Sequence, residues 1–282
     1  MKFHTESAEL FVPDGVEPEV ALKRTTVLAI SAHQDDLEIM AYHGILRCFA
    51  NPNEWFTGVV VTNGSGSARD NLYANYTDEQ MVQVRRQEQK KAATIGEYSS
   101  VALLDYPSSA VKDPAGIEPA EDLKRIIEST RPDVIYAHNL ADKHDTHVAV
   151  TLRTIETLRK LPPECRPQRL LGCEVWRDLD WLCDDDKQAL PVDAHENLAN
   201  ALLGVYDSQI AGGKRYDLAS MGRRRAHATY HASHGTDETE GLTFAMDLTP
   251  LLDTPDRDPA DYVATFVQRF ADDVNDRMRK LS

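Results

Sequence analysis

Through its first two thirds this chain alternates apolar runs of strand length with amphipathic stretches of helix length, and no other feature limits its fold as strongly. The apolar runs fall at 26–32, 56–62, 101–104 and 133–137 and have the character of buried strands. Helices are expected between and after them, at 36–49, 78–95, 118–129 and 146–161. The second opens with Thr77 and Gln80 in capping-box spacing and ends at Gly96; the third stops before Arg131-Pro132 and the fourth before Pro162-Pro163. This order predicts an α/β fold with a mostly parallel sheet and helices on both faces. Beyond 161 the pattern loosens into a strand near 170–176, a helix near 194–207, the basic triplet Arg223, Arg224 and Arg225, a late strand at 242–246 and a terminal helix at 259–281. There is no internal repeat and no Ser/Gly-rich linker. The 282 residues are therefore expected to form a single domain, with a core over about 26–209 and an elaborated C-terminal third over 210–282.

The chain carries 31 Lys and Arg against 46 Asp and Glu, a formal net charge of −15. A surface that negative repels phosphate backbones and anionic headgroups, so neither nucleic acid nor a membrane is expected as a partner. The opening residues lack a basic stretch followed by an apolar one, and no window reaches about 18 uninterrupted apolar residues, which points to a cytoplasmic protein. Cys48, Cys165, Cys173 and Cys183 form no CxxC and are too few for a disulfide framework in a chain of this length; free, structural thiols are expected.

In an open parallel sheet, ligands gather beyond the carboxyl ends of the strands. After the first strand stand His33, Gln34, Asp35 and Asp36; after the second, a polar loop from Asn63 to Asp70; after the fourth, the segment from His138 to His147. His33 and Asp36 are three apart at a corner entering a helix, as are His144 and His147, and at that spacing two side chains can face one point. Two imidazoles and a carboxylate from different strand ends make the donor set of a catalytic zinc site, with a water in the remaining position whose pKa falls to about 7. The same donors suit Fe2+ and other divalent ions. Asp35 points elsewhere on the turn and would take a proton from that water. His144, if it is not a ligand, would donate a proton or stabilise an oxyanion.

Taken in order, these segments resemble a known family. Ala32-His33-Gln34-Asp35-Asp36-Leu37-Glu38 is similar to the AHPDDxE motif of the LmbE-like/PIG-L superfamily of zinc-dependent deacetylases. Thr62 to Gly66 resembles its TxGxxG loop, Arg85 to Glu88 its RxxE helix, His144 to His147 its HPDH motif, and Asp207 to Gln209 its HxSQ segment. The resemblance implies a Rossmann-like fold, His33, Asp36 and His147 as ligands of Zn2+, Asp35 as general base and His144 as acid or electrostatic partner. It implies that Arg85 holds substrate hydroxyls or braces the loop, with Glu88 as its ion-pair partner. The implied reaction removes the N-acetyl group of a small glucosamine-type sugar or glycoconjugate and releases acetate and amine. Ring assemblies are common in the family, so a homo-oligomer is compatible with it.

The sequence also departs from that pattern. Gln34 replaces a Pro, Asp145 and Thr146 stand for the Pro and Asp of HPDH, Asp207 replaces the His of HxSQ, and His43 replaces a small Gly. Asp142 stands near where some members place an oxyanion-holding Tyr; its charge would repel an oxyanion unless Lys143 compensates. Trp176 and Trp181 read either as a stacking platform for a saccharide, with Arg177, Asp178 and Asp180 on its hydroxyls, or each as a core tryptophan with an ion-paired rim. Asn63, Trp176 and Arg85 are the candidate substrate contacts. The stretch 209–216 reads as a subunit contact or a lid hinge, and the triplet at 223–225 as a solvated helix face. The expected protein is a metal-dependent N-deacetylase of a soluble, neutral or cationic amino sugar. Its rivals are another metal-dependent amidohydrolase acting on an N-acyl substrate and a non-catalytic metal- or sugar-binding module.

Overall fold

The computed structural model describes residues 1–282. Its eight strands are β1 (Glu9–Phe11), β2 (Val27–Ser31), β3 (Phe56–Thr62), β4 (Ser100–Tyr106), β5 (Val134–His138), β6 (Arg169–Cys173), β7 (Lys187–Pro191) and β8 (Leu242–Asp247). They form one sheet in the order β1-β4-β3-β2-β5-β6-β8-β7. The five strands from β4 to β6 in that order are parallel, while β1 on one edge pairs antiparallel with β4, and on the other edge β8 runs antiparallel to both β6 and β7. The chain starts the parallel layer at its centre with β2, winds outward through β3 and β4, and then returns to the other side of β2 as β5 and β6. That reversal opens a crevice between the carboxyl ends of β2 and β5.

Alternate residues of the central strands feed two separate cores. Leu28, Ile30, Val59, Val61 and Ile135 pack under Leu123, Ile126 and Ile127 of the helix Glu118–Thr130 and Val150, Ile155 and Leu158 of the helix Asp145–Lys160. Val27, Ala29, Val60, Val101 and Tyr136 pack under Leu37 and Met40 of the helix Asp36–Met40, Ala92 and Ala93 of the helix Asp78–Ile95, and Leu202 of the helix Glu196–Gly204. A sheet covered on both faces needs continuous apolar strands, which is why the strand runs lack polar alternation. The helix Asp78–Ile95 opens with the expected reciprocal hydrogen bonds of Thr77 and Gln80. No helix is long and apolar enough to cross a membrane.

Two expectations change. The helix expected over 36–49 is broken at Ala41, with φ −113° and ψ 19°, into Asp36–Met40 and Tyr42–Cys48. Arg224, from the helix Tyr216–Tyr230, donates to the carbonyls of Glu38 at 2.8 Å and Ile39 at 3.3 Å, taking acceptors that a continuous helix would use itself. Arg224 is thus buried over Tyr42, not part of a solvated face; Arg223 donates to the Val175 carbonyl and Arg225 pairs with Glu196. The edge strands β1 and β7 escaped the sequence pattern. Both are short or half-exposed, and β7 ends in Pro191, which an edge strand tolerates.

Candidate metal and catalytic site

The corner after β2 is built to separate two adjacent acids. Asp35 has φ 86°, a left-handed conformation that turns the chain between Gln34 and the helix beginning at Asp36. Ser31 Oγ donates to the His33 carbonyl and Thr62 Oγ1 to the Ala32 carbonyl, fixing the turn against β3. Across the crevice, the chain leaves β5 at His138, turns through Asp142 and begins the helix Asp145–Lys160, whose first turn carries His147.

These two corners bring three donor atoms together. His33 Nδ1 lies 3.2 Å from His147 Nε2 and 3.3 Å from Asp36 Oδ2, and Asp36 Oδ2 lies 3.4 Å from His147 Nε2. Donors held 2.0–2.1 Å from a tetrahedral zinc lie about 3.3 Å from one another. The spacing therefore fits one face of such a coordination shell. Burial alone would raise the Asp36 carboxyl, but His147, His138 and His33 around it hold it well below the usual range.

A fourth histidine, His138, is buried 3.5 Å from Asp36 and stacks on His147 with ring centroids 3.9 Å apart. Asp36, His138 and His147 form one cluster of donor atoms; His33, His144 and His147 form another. Hydrogen bonding separates the roles. His138 Nε2, the atom facing Asp36, accepts the backbone N–H of Ala32 at 2.9 Å, so its lone pair is committed to the main chain. The sequence placed His138 on the rim without a role; its position at the last residue of β5 is the signal that it points inward.

Asp142 turns out to orient, not repel. Its Oδ2 lies 3.3 Å from His147 Nδ1 and accepts from the Trp176 N–H, while Oδ1 accepts from the His144 N–H. A carboxylate on the far nitrogen of an imidazole fixes the tautomer that leaves Nε2 as the donor atom. His144 stacks on His147 at 4.5 Å and meets His33 edge-on at 4.9 Å. Burial, then the neighbouring His147 and His33, pull its pKa down to about 4. Its Nδ1 has no hydrogen-bond partner.

Asp35 stands beside this cluster, 5% exposed, with Oδ2 lacking any hydrogen-bond partner. Burial pushes its carboxyl well above the ordinary range, and Arg85, 3.6 Å away, pulls in the opposite sense. Arg85 is a brace: it donates to the Gln34 carbonyl at 2.7 Å, Ser67 Oγ at 2.6 Å and the Gly64 carbonyl at 3.3 Å. Gly64, at φ 70°, has no room for a side chain, because a Cβ there would collide with Gln34 Oε1 and lie 2.6 Å from Arg85 Nη1. Gln34 thus fits into the loop it faces. Glu88 does not pair with Arg85; it accepts the Ser208 N–H at 2.8 Å and hydroxyl at 2.6 Å, fastening the segment that carries Gln209. Asp207 accepts from the Tyr73 hydroxyl. Deeper still, Glu38 accepts from the Tyr98 and Tyr206 hydroxyls and from Gln89, and burial raises it to about 7.

The cluster opens into a cavity of about 340 Å³ lined by His33, Asp35, Asp36, Arg85, His144, Trp176, Gln209 and Tyr216 among others. Asn63, expected to meet substrate, does not line it; its carboxamide oxygen caps the loop on the Ser65 N–H, and Gly64, Gly66 and Ser67 form that wall instead. The expected pair of tryptophans is also divided. Trp176 lines the cavity with Tyr216 against its edge, whereas Trp181 packs on Phe270 of the terminal helix. Arg177, Asp178 and Asp180 do not line the cavity. The mouth is cationic: Lys112 and Lys214 line it, and the ammonium groups of Lys143 and Lys214 lie 5.7 and 5.1 Å from the Trp176 ring centroid. These are three of the chain's 11 lysines, gathered at one opening of a chain with net charge −15. The stretch 209–216 supplies Gln209, Lys214 and Tyr216 to the cavity wall.

Residues 28–158 match the family described as PIG-L: GlcNAc-PI de-N-acetylase. Among solved structures, a conserved protein from Thermus thermophilus aligns with a TM-score of 0.58 at 18% identity, over 83% of this chain and 99% of its own. The 4-carboxy-2-hydroxymuconate hydratase of Pseudomonas putida aligns with a TM-score of 0.59 at 15% identity, over 79% of this chain and 96% of its own. The N,N'-diacetylchitobiose deacetylase of Pyrococcus horikoshii aligns with a TM-score of 0.58 at 17% identity, over 78% and 83%. Identities this low establish a shared fold. Among curated proteins no sequence matches significantly.

Proposed function

We propose, from the premise that residues 28–158 are a PIG-L (LmbE-like) domain, that this chain is a metal-dependent hydrolase removing an N-acyl group, acetyl foremost, from a sugar-type amine. The observation that carries the reading is the triangle of His33 Nδ1, Asp36 Oδ2 and His147 Nε2 with edges of 3.2 to 3.4 Å, beside the buried Asp35 carboxylate, whose Oδ2 accepts no hydrogen bond. His33, Asp36 and His147 would hold a zinc or another divalent ion, which when bound polarises a carbonyl and makes water a better nucleophile. Asp35, whose proton affinity is raised by burial, takes the proton of the attacking water as the new C–O bond forms, and returns it to the nitrogen as the C–N bond breaks. His144, neutral near pH 7, donates a hydrogen bond to the carbonyl oxygen as charge gathers there. Asp142 keeps His147 in register, and Arg85 holds the two loops that frame Asp35.

The cavity is at the small end for ligand pockets, which suits a compact sugar laid against Trp176 and Tyr216. Lys112, Lys143 and Lys214 favour a substrate with a carboxylate or phosphate beyond the amide. This replaces the neutral or cationic sugar expected from net charge, because the field at the mouth is set by the nearest charges and not by their sum. A hydratase with the same fold means that the fold does not choose the reaction, so the test must be chemical. Asp35→Asn is expected to lower kcat for amine release by about 10²–10⁴-fold while metal content and Tm hold. Full activity in that variant rules out Asp35 as the base. A panel of N-acetylated amino sugars against N-acyl amino acids decides between the deacetylase and the wider amidohydrolase reading.

A further inference from the structure

The helix Tyr216–Tyr230 carries a cation that is buried without a counter-charge. Arg224 is 4% exposed, its guanidinium lies 4.6 Å from the Tyr42 ring centroid, and burial lowers its pKa to about 10. No carboxylate pairs with it; its partners are Met221 Sδ and the carbonyls of Glu38 and Ile39. Stability does not call for such a group, because a buried unpaired charge costs free energy that an apolar side chain of similar length would not.

What Arg224 holds is the far end of the helix that begins at Asp36. A continuous helix would offer the Glu38 and Ile39 carbonyls to the N–H groups four residues on, those of Tyr42 and His43. With Arg224 on both, the helix stops at Met40, and little more than one turn remains between the break at Ala41 and the corner of Asp35 and Asp36. One turn has no stability of its own, so its direction is set by what grips its ends. The preceding residue grips the opposite wall. Arg223 donates to the Val175 carbonyl at 2.6 Å, beside Trp176. Successive helical residues point about 100° apart, so one helix reaches the corner after β2 with Arg224 and the loop after β6 with Arg223. Those strands flank β5, and the cavity lies above all three. The same helix begins at Tyr216, on the cavity wall.

We propose that Arg223 and Arg224 are positioning residues that fix the separation between the reacting corner and the stacking wall. Arg224 keeps the helix Asp36–Met40 broken at Ala41, so that Asp35 and Asp36 face the cavity, and Arg223 keeps Trp176 against it. Without Arg224 the two carbonyls can take the Tyr42 and His43 N–H groups, and closing the break turns Asp36 away from His33 and His147. The proposal rests on the reading of those three residues as metal donors.

Titration of the metal-free full chain with Zn2+, beside steady-state amine release from an N-acetylated amino sugar, tests it. Arg224→Met removes the donors at similar length; Zn2+ affinity should fall about 10–100-fold, and kcat with it, while Tm of the metal-free protein holds. Arg224→Lys, whose single shorter donor cannot serve both carbonyls fully, should lose part of that affinity, and it decides the matter where the Met variant does not fold. Arg223→Met should raise KM severalfold with kcat and Zn2+ affinity unchanged. Wild-type Zn2+ affinity in either folded Arg224 variant overturns the proposal, as does a loss that only accompanies an equal fall in metal-free Tm. An Arg223→Met variant that behaves as Arg224→Met does, or that leaves KM unchanged, overturns the division between corner and wall. A wild-type chain that takes up no ion refutes the metal reading itself, and this inference with it.

Discussion

The two ends of the same parallel strands hold cavities of opposite character. At the amino ends, a cavity of about 1220 Å³ is lined by Thr25, Thr26, Arg131 and Asp133 with the N-terminal Met1 to His4. At the carboxyl ends the cavity is near 340 Å³. The larger one is the less equipped for chemistry. Its His4 and Arg125 are spent on Asp122, which the Tyr106 hydroxyl also satisfies. In the smaller one, Asp35 Oδ2 and His144 Nδ1 are without hydrogen-bond partners and three further donor atoms converge. Volume does not mark a site here; unspent polar atoms under burial do, because such atoms cost stability unless something else fills their valence.

The sharpest break of this contrast is at His33, Asp36 and His147, the proposed metal site. Protein purified without chelators should carry about one divalent ion per chain, and His33→Ala with His147→Ala should remove both the ion and the activity. Metal-free protein with full turnover would falsify the assignment. The next effect concerns the buried acid just past β6. Glu174 accepts from the Leu179 and Phe244 N–H groups and the Thr243 hydroxyl, yet burial raises it from 4.5 to about 7. It therefore binds its proton more tightly folded than unfolded, and the stability this lends is full below about pH 4.5 and lost as pH rises through about 7, some 3 kcal/mol at most. Tm measured from pH 5 to 8 should fall for the wild type relative to Glu174→Gln; parallel curves would refute it.

Lys214→Glu tests the mouth. KM for an anionic substrate should rise about tenfold with kcat nearly constant, while a neutral analogue is unaffected. Equal effects on both substrates would mean that Lys214 acts through the wall and not through charge. The smallest change belongs to the other end of the sheet. Arg131 lines the larger cavity at φ 47°, where Gly is favoured, so Arg131→Gly should raise stability by up to about 1 kcal/mol and leave kcat/KM unchanged. Lost activity there would erase the distinction between the two ends.

Much of this could be read along the chain. The helix Asp78–Ile95 shows its own cap at Thr77 and Gln80, and His33, Asp36, His144 and His147 stand where strands end, because both signals are local in sequence. The errors share a cause. Arg224 looks solvated until the helix Tyr216–Tyr230 is seen to aim it at the carbonyls of Glu38 and Ile39. Asp142 looks hostile to an oxyanion until His147 and Trp176 are seen to occupy its oxygens. Trp181 looks like the twin of Trp176 until it is found against Phe270.

By itself the sequence determined the layered α/β architecture and the identity of the groups at the crevice, since period, capping and the order of strand and helix act between near neighbours. The tertiary structure decided which atoms of those groups remain available. His138 and His33 are both imidazoles at strand ends, and only the Ala32 N–H, reached from across the sheet, commits the facing nitrogen of His138 while that of His33 stays turned toward Asp36 and His147. Hydrogen-bond valence is settled by contacts between residues distant in the chain, and no local pattern records them.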